Sequence, residues 1–205
     1  MIRQRYDPDA YPLRTIVSGY FARPLEDLHR DPDPAPAHDQ ATRWHRDVYA
    51  RLDAPFFAAY QALTWMVAAS LEPQDWVVQA IPTFRFQVPG RAGTHEFHRD
   101  RDYGHPVETL NVIVPLTRMV DTTAVYAERV PYTGDYAPMP AEVGDLLLFH
   151  GALCRHGTRA NLTEATRVSF DFRLLPRAAL PPAGTVTANR GMPLALGAYY
   201  RTLGG

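Results

Sequence analysis

The stretch GDLLLFHGALCRHGTRANLTEATRVSFDFRLLP, residues 144–176, decides the fold of this chain. Its apolar runs are short and are separated by Gly, Asn and Thr, and from residue 165 polar and apolar side chains alternate with a period of two. This pattern is typical of antiparallel β-strands. The same pattern starts at Ile81. It predicts strands at 83–88, 94–100, 109–116, 122–128, 145–150, 153–159 and 165–174.

The residues before Ile81 have a different pattern. We expect an early strand at 11–22, an exposed Pro-rich connector at 31–36 and a helix at about 38–52. A second helix should begin at Asp53, an N-cap residue followed by Pro55. In this second helix an apolar stripe has helical spacing and should pack on the sheet; it consists of Phe56, Tyr60, Leu63 and Met66.

These elements predict one domain, residues 1–205, that is mainly β with N-terminal helices. A helical layer at about 37–72 should pack on a core at about 81–176 that is a double-stranded β-helix, a jelly-roll or cupin-like double sheet. The tail, residues 177–205, is rich in Pro, Gly and Ala. We expect it to cover a sheet edge or a pocket mouth.

Composition excludes several function classes. All 21 basic residues are arginine, so lysine Schiff bases and Walker-type phosphate lysines are excluded. One cysteine, Cys154, excludes an internal disulfide and a cysteine-based zinc site. A net charge of -1 predicts neither nucleic-acid nor membrane binding. Without an apolar leader or a long apolar run, the sequence predicts a cytoplasmic protein.

His98 and Asp100 are candidate metal ligands because residues two apart share a face of a strand. Asp102 would lie roughly 13 Å along the strand from His98, and His95 would face the other side. Taken alone, a His-x-Asp pair also fits a surface loop after a strand.

His156 is the third candidate ligand. If residues 153–159 and 165–174 form a hairpin, His156 stands opposite Arg167 or, with the turn one residue later, opposite Ser169, at a Cβ separation of about 4.5–5.5 Å. His150 would lie roughly 20 Å further along the ladder and is interpreted as a strand-end residue.

Period two also places Arg167 and Ser169 on one face of the last strand, together with Asp171 and Arg173, and Val168, Phe170 and Phe172 on the other. The apolar face should meet the core or the helices, and the polar face should point into a barrel mouth or solvent. Two histidines and a carboxylate are the metal ligands typical of non-haem Fe(II) oxygenases. Arg167 and Ser169 would act beside them as a cation-plus-hydroxyl clamp for a bound carboxylate.

Three segments resemble the Fe(II)/2-oxoglutarate-dependent oxygenases, and in particular the small enzymes of antibiotic biosynthesis of the streptomycin-cluster type. They are HRDRDYGH at 98–105, LNVIVPLT at 110–117 and residues 144–176. The resemblance implies that His98, Asp100 and His156 bind Fe(II), and that Arg167 and Ser169 bind the distal carboxylate of 2-oxoglutarate.

The resemblance also implies the reaction: O2 is consumed, 2-oxoglutarate is decarboxylated to succinate and CO2, and the substrate is hydroxylated, desaturated or oxidatively cyclised. Asp100 argues against halogenation, because related halogenases have a small residue at that position. Asn111 is expected to hydrogen-bond the cosubstrate or substrate, or to be a structural amide in a turn.

The predicted substrate is a small polar natural-product intermediate, with an aminoglycoside as one candidate. Candidate pocket residues are Arg85, Gln87, Tyr103, His105 and Glu128, the last as a partner for an aminated sugar; ordinary surface and loop roles are the alternative for each. Two other functions stay open, a cupin-like metal-dependent isomerase or lyase that does without 2-oxoglutarate, and a non-enzymatic sugar-binding sandwich. The sequence leaves the oligomeric state open.

Overall fold

A computed structural model describes residues 1–31, 41–72, 75–91 and 96–204. It contains three α-helices, α1 (Leu13–Ser18), α2 (Arg43–Arg51) and α3 (Ala54–Ala69). Its ten strands are β1 (Ile2–Arg5), β2 (Trp76–Gln79), β3 (Thr83–Gln87), β4 (Leu110–Pro115), β5 (Val125–Glu128), β6 (Tyr136–Met139), β7 (Asp145–Phe149), β8 (His156–Thr158), β9 (Arg167–Pro176) and β10 (Tyr200–Thr202). The predicted architecture, mainly β with N-terminal helices on a jelly-roll core, is confirmed.

The strands form two antiparallel sheets. The larger sheet has the order β1-β7-β4-β9-β2-β10, with β3 also paired to β9, and the smaller sheet has the order β6-β5-β8. β9 is the longest strand and pairs with β4 along one edge and with β3 and β2 along the other. Residues of both sheets, among them Leu147 of β7 and Met139 of β6, share a small apolar cluster, so the sheets face each other.

The helices cover the outer face of the larger sheet because that face of β9 is apolar. Phe170 and Phe172 are fully buried and contact Tyr60 of α3 with ring centroids 6.1 and 5.5 Å apart. α3 begins as expected: the Asp53 carboxylate accepts a hydrogen bond from the Phe56 N–H at 3.0 Å. The opposite, polar face of β9 therefore points into the space between the sheets.

Several predicted elements are wrong. Residues 13–18 of the expected early strand form α1, because Leu13 and Val17, four residues apart, are buried together on one helix face. Within the expected strand at 94–100, the described residues make only an isolated bridge between His98 and His156, and a 3-10 helix begins at Asp100. β1, β2, β6 and β10 were not predicted.

Other predictions fall partly outside the described residues. Except for Asp31, the connector expected at 31–36 lies outside the described residues, as do the first three residues of the helix expected at 38–52. α2 itself begins at Arg43, where the preceding Thr42 caps it. No helix in the described ranges is long and apolar enough to cross a membrane.

Candidate metal and cosubstrate site

The three predicted ligands meet at one point between the sheets. One donor atom each of His98, Asp100 and His156 lie within 4.8 Å of one another. The backbones of His98 and His156 are joined by two hydrogen bonds of 3.0 and 2.9 Å. The Nε2 atoms of the two histidines are 3.5 and 3.8 Å from Oδ1 of Asp100.

Both imidazole rings are oriented by backbone carbonyls. Nδ1 of His98 lies 3.0 Å from the Glu96 carbonyl oxygen, and Nδ1 of His156 lies 3.0 Å from that of Cys154. A proton on Nδ1 is then donated to the carbonyl, which leaves the lone pair on Nε2 pointing at Asp100. Burial lowers the pKa of His156, so the neutral ring that a metal requires is favoured.

The two oxygens of Asp100 have different surroundings. Oδ2 accepts hydrogen bonds from Asn111 Nδ2 and Arg173 Nε, both at 2.8 Å. Oδ1 is buried and has no hydrogen-bond donor among the described residues. A buried acceptor without a donor is costly, whereas a cation seated between Oδ1 and the two Nε2 atoms would satisfy it. The residues present therefore fit a divalent metal that Asp100 would bind through one carboxylate oxygen, Oδ1.

Asp100 stays ionised although it is buried. Burial alone would raise the pKa of Asp100, but the Arg173 guanidinium, with smaller contributions from His98 and His156, holds it well below the usual range. Arg173 also donates from Nη1 to Tyr199 Oη at 2.8 Å and to Gln79 Oε1 at 3.2 Å. Residues of β2, β9 and the C-terminal tail thus support the carboxylate.

Arg167 is a buried cation without a carboxylate counter-ion among the described residues. It is fully buried, donates from Nη1 to Ser169 Oγ at 2.8 Å and from Nε to Gln87 Oε1 at 3.1 Å, and forms no ion pair with a carboxylate of the described residues. Burial, and then the neighbouring Arg85, lowers the pKa of Arg167 to about 10, so it remains charged at neutral pH. The arrangement can hold a carboxylate.

Two cavities adjoin these groups. The smaller contains the predicted clamp and parts of the metal site; its lining includes His98, Asn111, His156, Arg167, Ser169 and Asp171. The larger, about 920 Å³, reaches the metal site and is lined among others by Arg85, Tyr103, His105 and Tyr199. Arg85 also lines the smaller cavity and forms a 2.7 Å ion pair with Asp171.

His105 contributes a neutral side chain to the larger cavity. Burial, and then the charge of Arg173, lowers the pKa of His105 to about 4. Its ring centroid lies 5.2 Å from that of Tyr199 in the tail. The prediction that the tail covers a pocket mouth fits this position, and β10 of the same tail extends the larger sheet next to β2.

The structure does not bring two of the predicted pocket residues into either cavity. Gln87 is fully buried and its Nε2 donates to the backbone oxygens of Thr122 and Arg159, so it supports Arg167 from behind. Glu128 is buried on the far side of Arg99, to which it is ion-paired at 3.0 Å. It is not available to bind an amine of a substrate.

The expected hairpin is also wrong. β8, which carries His156, pairs with β5 in the smaller sheet, whereas β9, which carries Arg167 and Ser169, pairs with β3 and β4 in the larger. Neither predicted register occurs. The three side chains nevertheless line one cavity, because they meet across the gap between the sheets. His150 is exposed after β7, as expected of a strand-end residue.

Sequence reasoning missed the support of Asp100. The period of two places Arg173 on the polar face of its strand, but its hydrogen bond to Asp100 joins residues 73 positions apart and cannot be predicted from that period. Gln79 and Tyr199 carried no signal, since β2 and β10 were not predicted. Asn111 lies within β4 and not in a turn, and it contacts Asp100 directly.

Known proteins resemble this chain in sequence and in fold. No family model matches the chain. It is 34% identical over 203 residues to the streptomycin biosynthesis protein StrG of Streptomyces griseus, covering 98% of both chains. Among solved structures, iron-bound EctD from S. alaskensis has a TM-score of 0.60 at 14% identity, covering 88% of this chain and 74% of EctD.

The non-haem α-ketoglutarate-dependent epimerase SnoN of nogalamycin biosynthesis superposes with a TM-score of 0.52 at 16% identity, covering 98% of this chain and 93% of SnoN. At these identities the two structures establish the fold, while the StrG relationship establishes the family. The chain belongs to the family of the streptomycin biosynthesis protein StrG and has the fold of the non-haem iron enzymes that depend on 2-oxoglutarate.

Proposed function

We propose that the protein is a non-haem Fe(II) oxygenase that uses 2-oxoglutarate and O2, with His98, Asp100 and His156 as the metal ligands. The observation that carries the proposal is the donor set: three atoms within 4.8 Å, one of them a buried carboxylate oxygen without a hydrogen-bond donor. Two histidines and one carboxylate with open positions are typical of Fe(II) oxygenases. Iron would supply the activation of O2 that no side chain provides.

Arg167 and Ser169 are proposed to bind the distal carboxylate of 2-oxoglutarate. The buried guanidinium of Arg167 lines the same cavity as His98 and His156, so this cavity offers a partner for a carboxylate beside the proposed metal ligands. Asn111 is proposed to act on the ligand Asp100 and, as a wall of this cavity, to contact the cosubstrate. The protein's part is to orient these groups and exclude water.

The substrate is proposed to enter the larger cavity, where Arg85, Tyr103 and His105 lie beside the metal site. Its volume of about 920 Å³ suits a small-molecule substrate. A relative named for streptomycin biosynthesis supports a small polar natural-product intermediate, with an aminoglycoside as one candidate. The oxidation would be a hydroxylation, a desaturation or an oxidative cyclisation, in the cytoplasm and without nucleic acid or membrane as partner.

Anaerobic titration tests the proposal. Adding Fe(II) and then 2-oxoglutarate to the metal-free protein should produce the weak visible charge-transfer band of the iron chelate. A slow release of succinate in air should follow, and candidate substrates can be screened for stimulating it. If iron binds but no band appears, the protein does not use 2-oxoglutarate, and the isomerase or lyase alternative is favoured. If iron does not bind, the sugar-binding alternative is favoured.

Gly151→Ala tests how Asn111 supports the metal site. A Cβ at residue 151 would lie 2.5 Å from Asn111 Nδ2 and 2.7 Å from its Cγ, so the amide must leave the position from which it donates to Asp100. Loss of a group that hydrogen-bonds a metal ligand, as Asn111 does, weakens metal binding by about 10- to 100-fold. We expect a decrease near the lower end of that range, measured by Co(II) titration.

The double variant Gly151→Ala/Asn111→Ala is the control for this steric mechanism. Without the Asn111 amide the new methyl group has room, so the double variant should bind Co(II) like Asn111→Ala alone. Additive losses would contradict the mechanism, because they would place the damage elsewhere than at Asn111.

A further inference from the structure

We propose that Glu128 is a positioning residue for the metal site: it ties the segment that carries His98 and Asp100 to the segment that carries His156. This role rests on the proposed metal ligands. Glu128 is the last residue of β5 and only 5% exposed. It lies outside both cavities and touches none of the three ligands directly. Its action must therefore pass through the residues that flank them.

The first link is Arg99, which lies between His98 and Asp100 in the chain. Its Nη2 donates to both carboxylate oxygens of Glu128, at 3.1 and 3.0 Å, and its Nε donates to the Leu153 carbonyl at 2.9 Å. The Arg99 side chain is largely buried, which strengthens the ion pair relative to one at the surface. Glu128 thus fixes the residue whose backbone separates two of the ligands.

The second link is Arg155, which directly precedes His156. Its backbone N–H donates to Oε2 of Glu128 at 2.7 Å, and the Glu128 N–H donates to the Arg155 carbonyl at 2.9 Å. The Arg155 side chain in turn donates from Nε to the Phe97 carbonyl at 2.9 Å, next to His98. The two ligand-bearing segments are therefore linked by hydrogen bonds at Phe97 and at Arg99, the residues on either side of His98.

The Glu128 carboxylate is fully committed to these contacts. Besides Arg99 and Arg155, it accepts the backbone N–H groups of Tyr132 at 3.2 Å and Gly134 at 3.1 Å. Burial alone would raise the pKa of Glu128, but the backbone N–H of Arg155, those of Gly134 and Tyr132, and Arg99 hold it below its ordinary value. An ionised carboxylate with five donor contacts can hold both segments at once.

A metal site requires its donor atoms at defined positions, and for this reason the contacts of Glu128 should affect metal binding. Metal donor atoms must be held within about 0.5 Å of their working positions by the groups behind them. The segments of His98 and His156 belong to different parts of the chain, and a shift of either one changes the distances between the donor atoms. Glu128 opposes that shift because one carboxylate binds both.

The test is Glu128→Gln, with cobalt as the probe. Glutamine keeps the size of the side chain but removes the charge and turns one acceptor into an NH2 group, which would face another donor. We expect the variant to fold and to bind Co(II) about 10-fold more weakly, the lower end of the effect of losing a group that hydrogen-bonds a ligand, because Glu128 acts through the neighbours of the ligands. Its Co(II) absorption bands should also differ from those of the unaltered protein, because the ligand geometry changes.

Asp145→Asn is the matched control. Asp145 is another buried carboxylate that accepts a backbone N–H, that of Glu142 at 2.9 Å, and pairs with arginines, but none of its partners flanks a proposed ligand. Both variants should lower the temperature of unfolding, and only Glu128→Gln should weaken Co(II) binding. Equal Co(II) affinity and equal spectra in Glu128→Gln and the unaltered protein would overturn the proposal.

Two further outcomes are separable. If Glu128→Gln does not fold, Arg99→Gln takes its place, because it breaks the link to the first segment and leaves Glu128 its backbone donors; unchanged Co(II) binding there overturns the proposal equally. If the unaltered protein itself does not bind Co(II), the proposed metal site is wrong, which is a different result from a metal site that is indifferent to Glu128.

Discussion

Asp100→Ala should remove the metal site and also destabilise the metal-free protein. We expect Co(II) and Fe(II) affinity to decrease by more than the roughly 10- to 100-fold that loss of an outer-sphere partner causes, because the only charged donor of the set is lost. Without metal, the free energy of unfolding should decrease by about 3 kcal/mol, since breaking a buried ion pair leaves the other charge uncompensated. Titration with Co(II) and denaturant unfolding of the metal-free protein measure the two effects.

The expected loss of stability follows from Arg173. Its Nε lies 2.8 Å from Oδ2 of Asp100, and its nearest other carboxylate, Asp171, is 3.7 Å away and shared with Arg85. Burial would lower the pKa of Arg173, but Asp100, then Tyr199 and Asp171, hold it well above its ordinary value. In Asp100→Ala the Arg173 guanidinium remains buried, and of its two carboxylate partners it keeps only Asp171.

A second substitution separates the two effects. Asp100→Ala/Arg173→Met removes both charges, so it should recover much of the lost stability while metal binding stays as weak as in Asp100→Ala. Asp47→Ala is the control, because it removes a half-exposed carboxylate that pairs with Arg43 and Arg51 of its own helix, α2, and should keep Co(II) affinity. Undiminished Co(II) affinity in Asp100→Ala would contradict its role as a ligand, and unchanged stability would contradict the importance of its pairing with Arg173.

Local periodicity was sufficient to predict four of the residues that meet in the site, His98, Asp100, Arg167 and Ser169. His98 and Asp100 lie on the same side of the chain although no regular strand contains them, because Arg99 between them is extended, with φ −108° and ψ 138°. On β9 the period of two separated Val168, Phe170 and Phe172, which pack in the main core, from Arg167 and Ser169. Each inference needed only a few neighbouring residues, and burial of one strand face enforced it.

Pairing between distant strands was not predictable in the same way. Strands that are neighbours in the chain, such as β8 and β9, are expected to pair as a hairpin, but in this double sheet the chain crosses from one sheet to the other between them. His156 therefore approaches Arg167 across the space between the two sheets. The two residues do not lie on paired strands. Which strands pair is decided by the burial of whole faces, and a single hairpin does not contain that information.

Contacts between buried polar side chains also could not be predicted from the sequence. From the sequence, Glu128 is equally compatible with a pocket carboxylate, a surface residue and a buried ion pair. Its partners Arg99 and Arg155 are 29 and 27 residues away in the chain, so the ion pair is visible only in the folded structure. The same holds for Arg173, whose bond to Gln79 spans 94 residues. Long-range hydrogen bonds of this kind have no periodic signature.

Arg167→Ala should abolish tight binding of 2-oxoglutarate and leave the metal site intact. A buried charge pair is worth about 2–5 kcal/mol when one partner is truncated, so we expect the Kd and KM for 2-oxoglutarate to rise by roughly 10²- to 10³-fold. Co(II) affinity should change little, because Arg167 bonds to Gln87 and Ser169 and to none of the proposed ligands. The charge-transfer band of the Fe(II) chelate measures the Kd, and succinate release measures the KM.

Arg167→Ala should affect the stability of the metal-free protein less than Asp100→Ala does. Arg167 is buried without an ion-pair partner among the described residues, and its lowered pKa reflects that cost. Removing it takes an unfavourable buried charge away, although Gln87 Oε1 and Ser169 Oγ lose a donor. The metal-free variant should therefore lose less stability than Asp100→Ala, which is the expected behaviour of a residue kept for binding.

Two variants make this prediction specific to the clamp. Ser169→Ala removes one hydroxyl and no charge, so it should raise the KM for 2-oxoglutarate by about tenfold or less. Arg201→Ala removes an arginine that stacks on the Tyr60 ring at 5.5 Å, outside both cavities, and should leave the KM unchanged. If Arg167→Ala bound 2-oxoglutarate normally, or lost Co(II) and 2-oxoglutarate to the same extent, Arg167 would not be the carboxylate clamp, because only a direct contact weakens one ligand selectively.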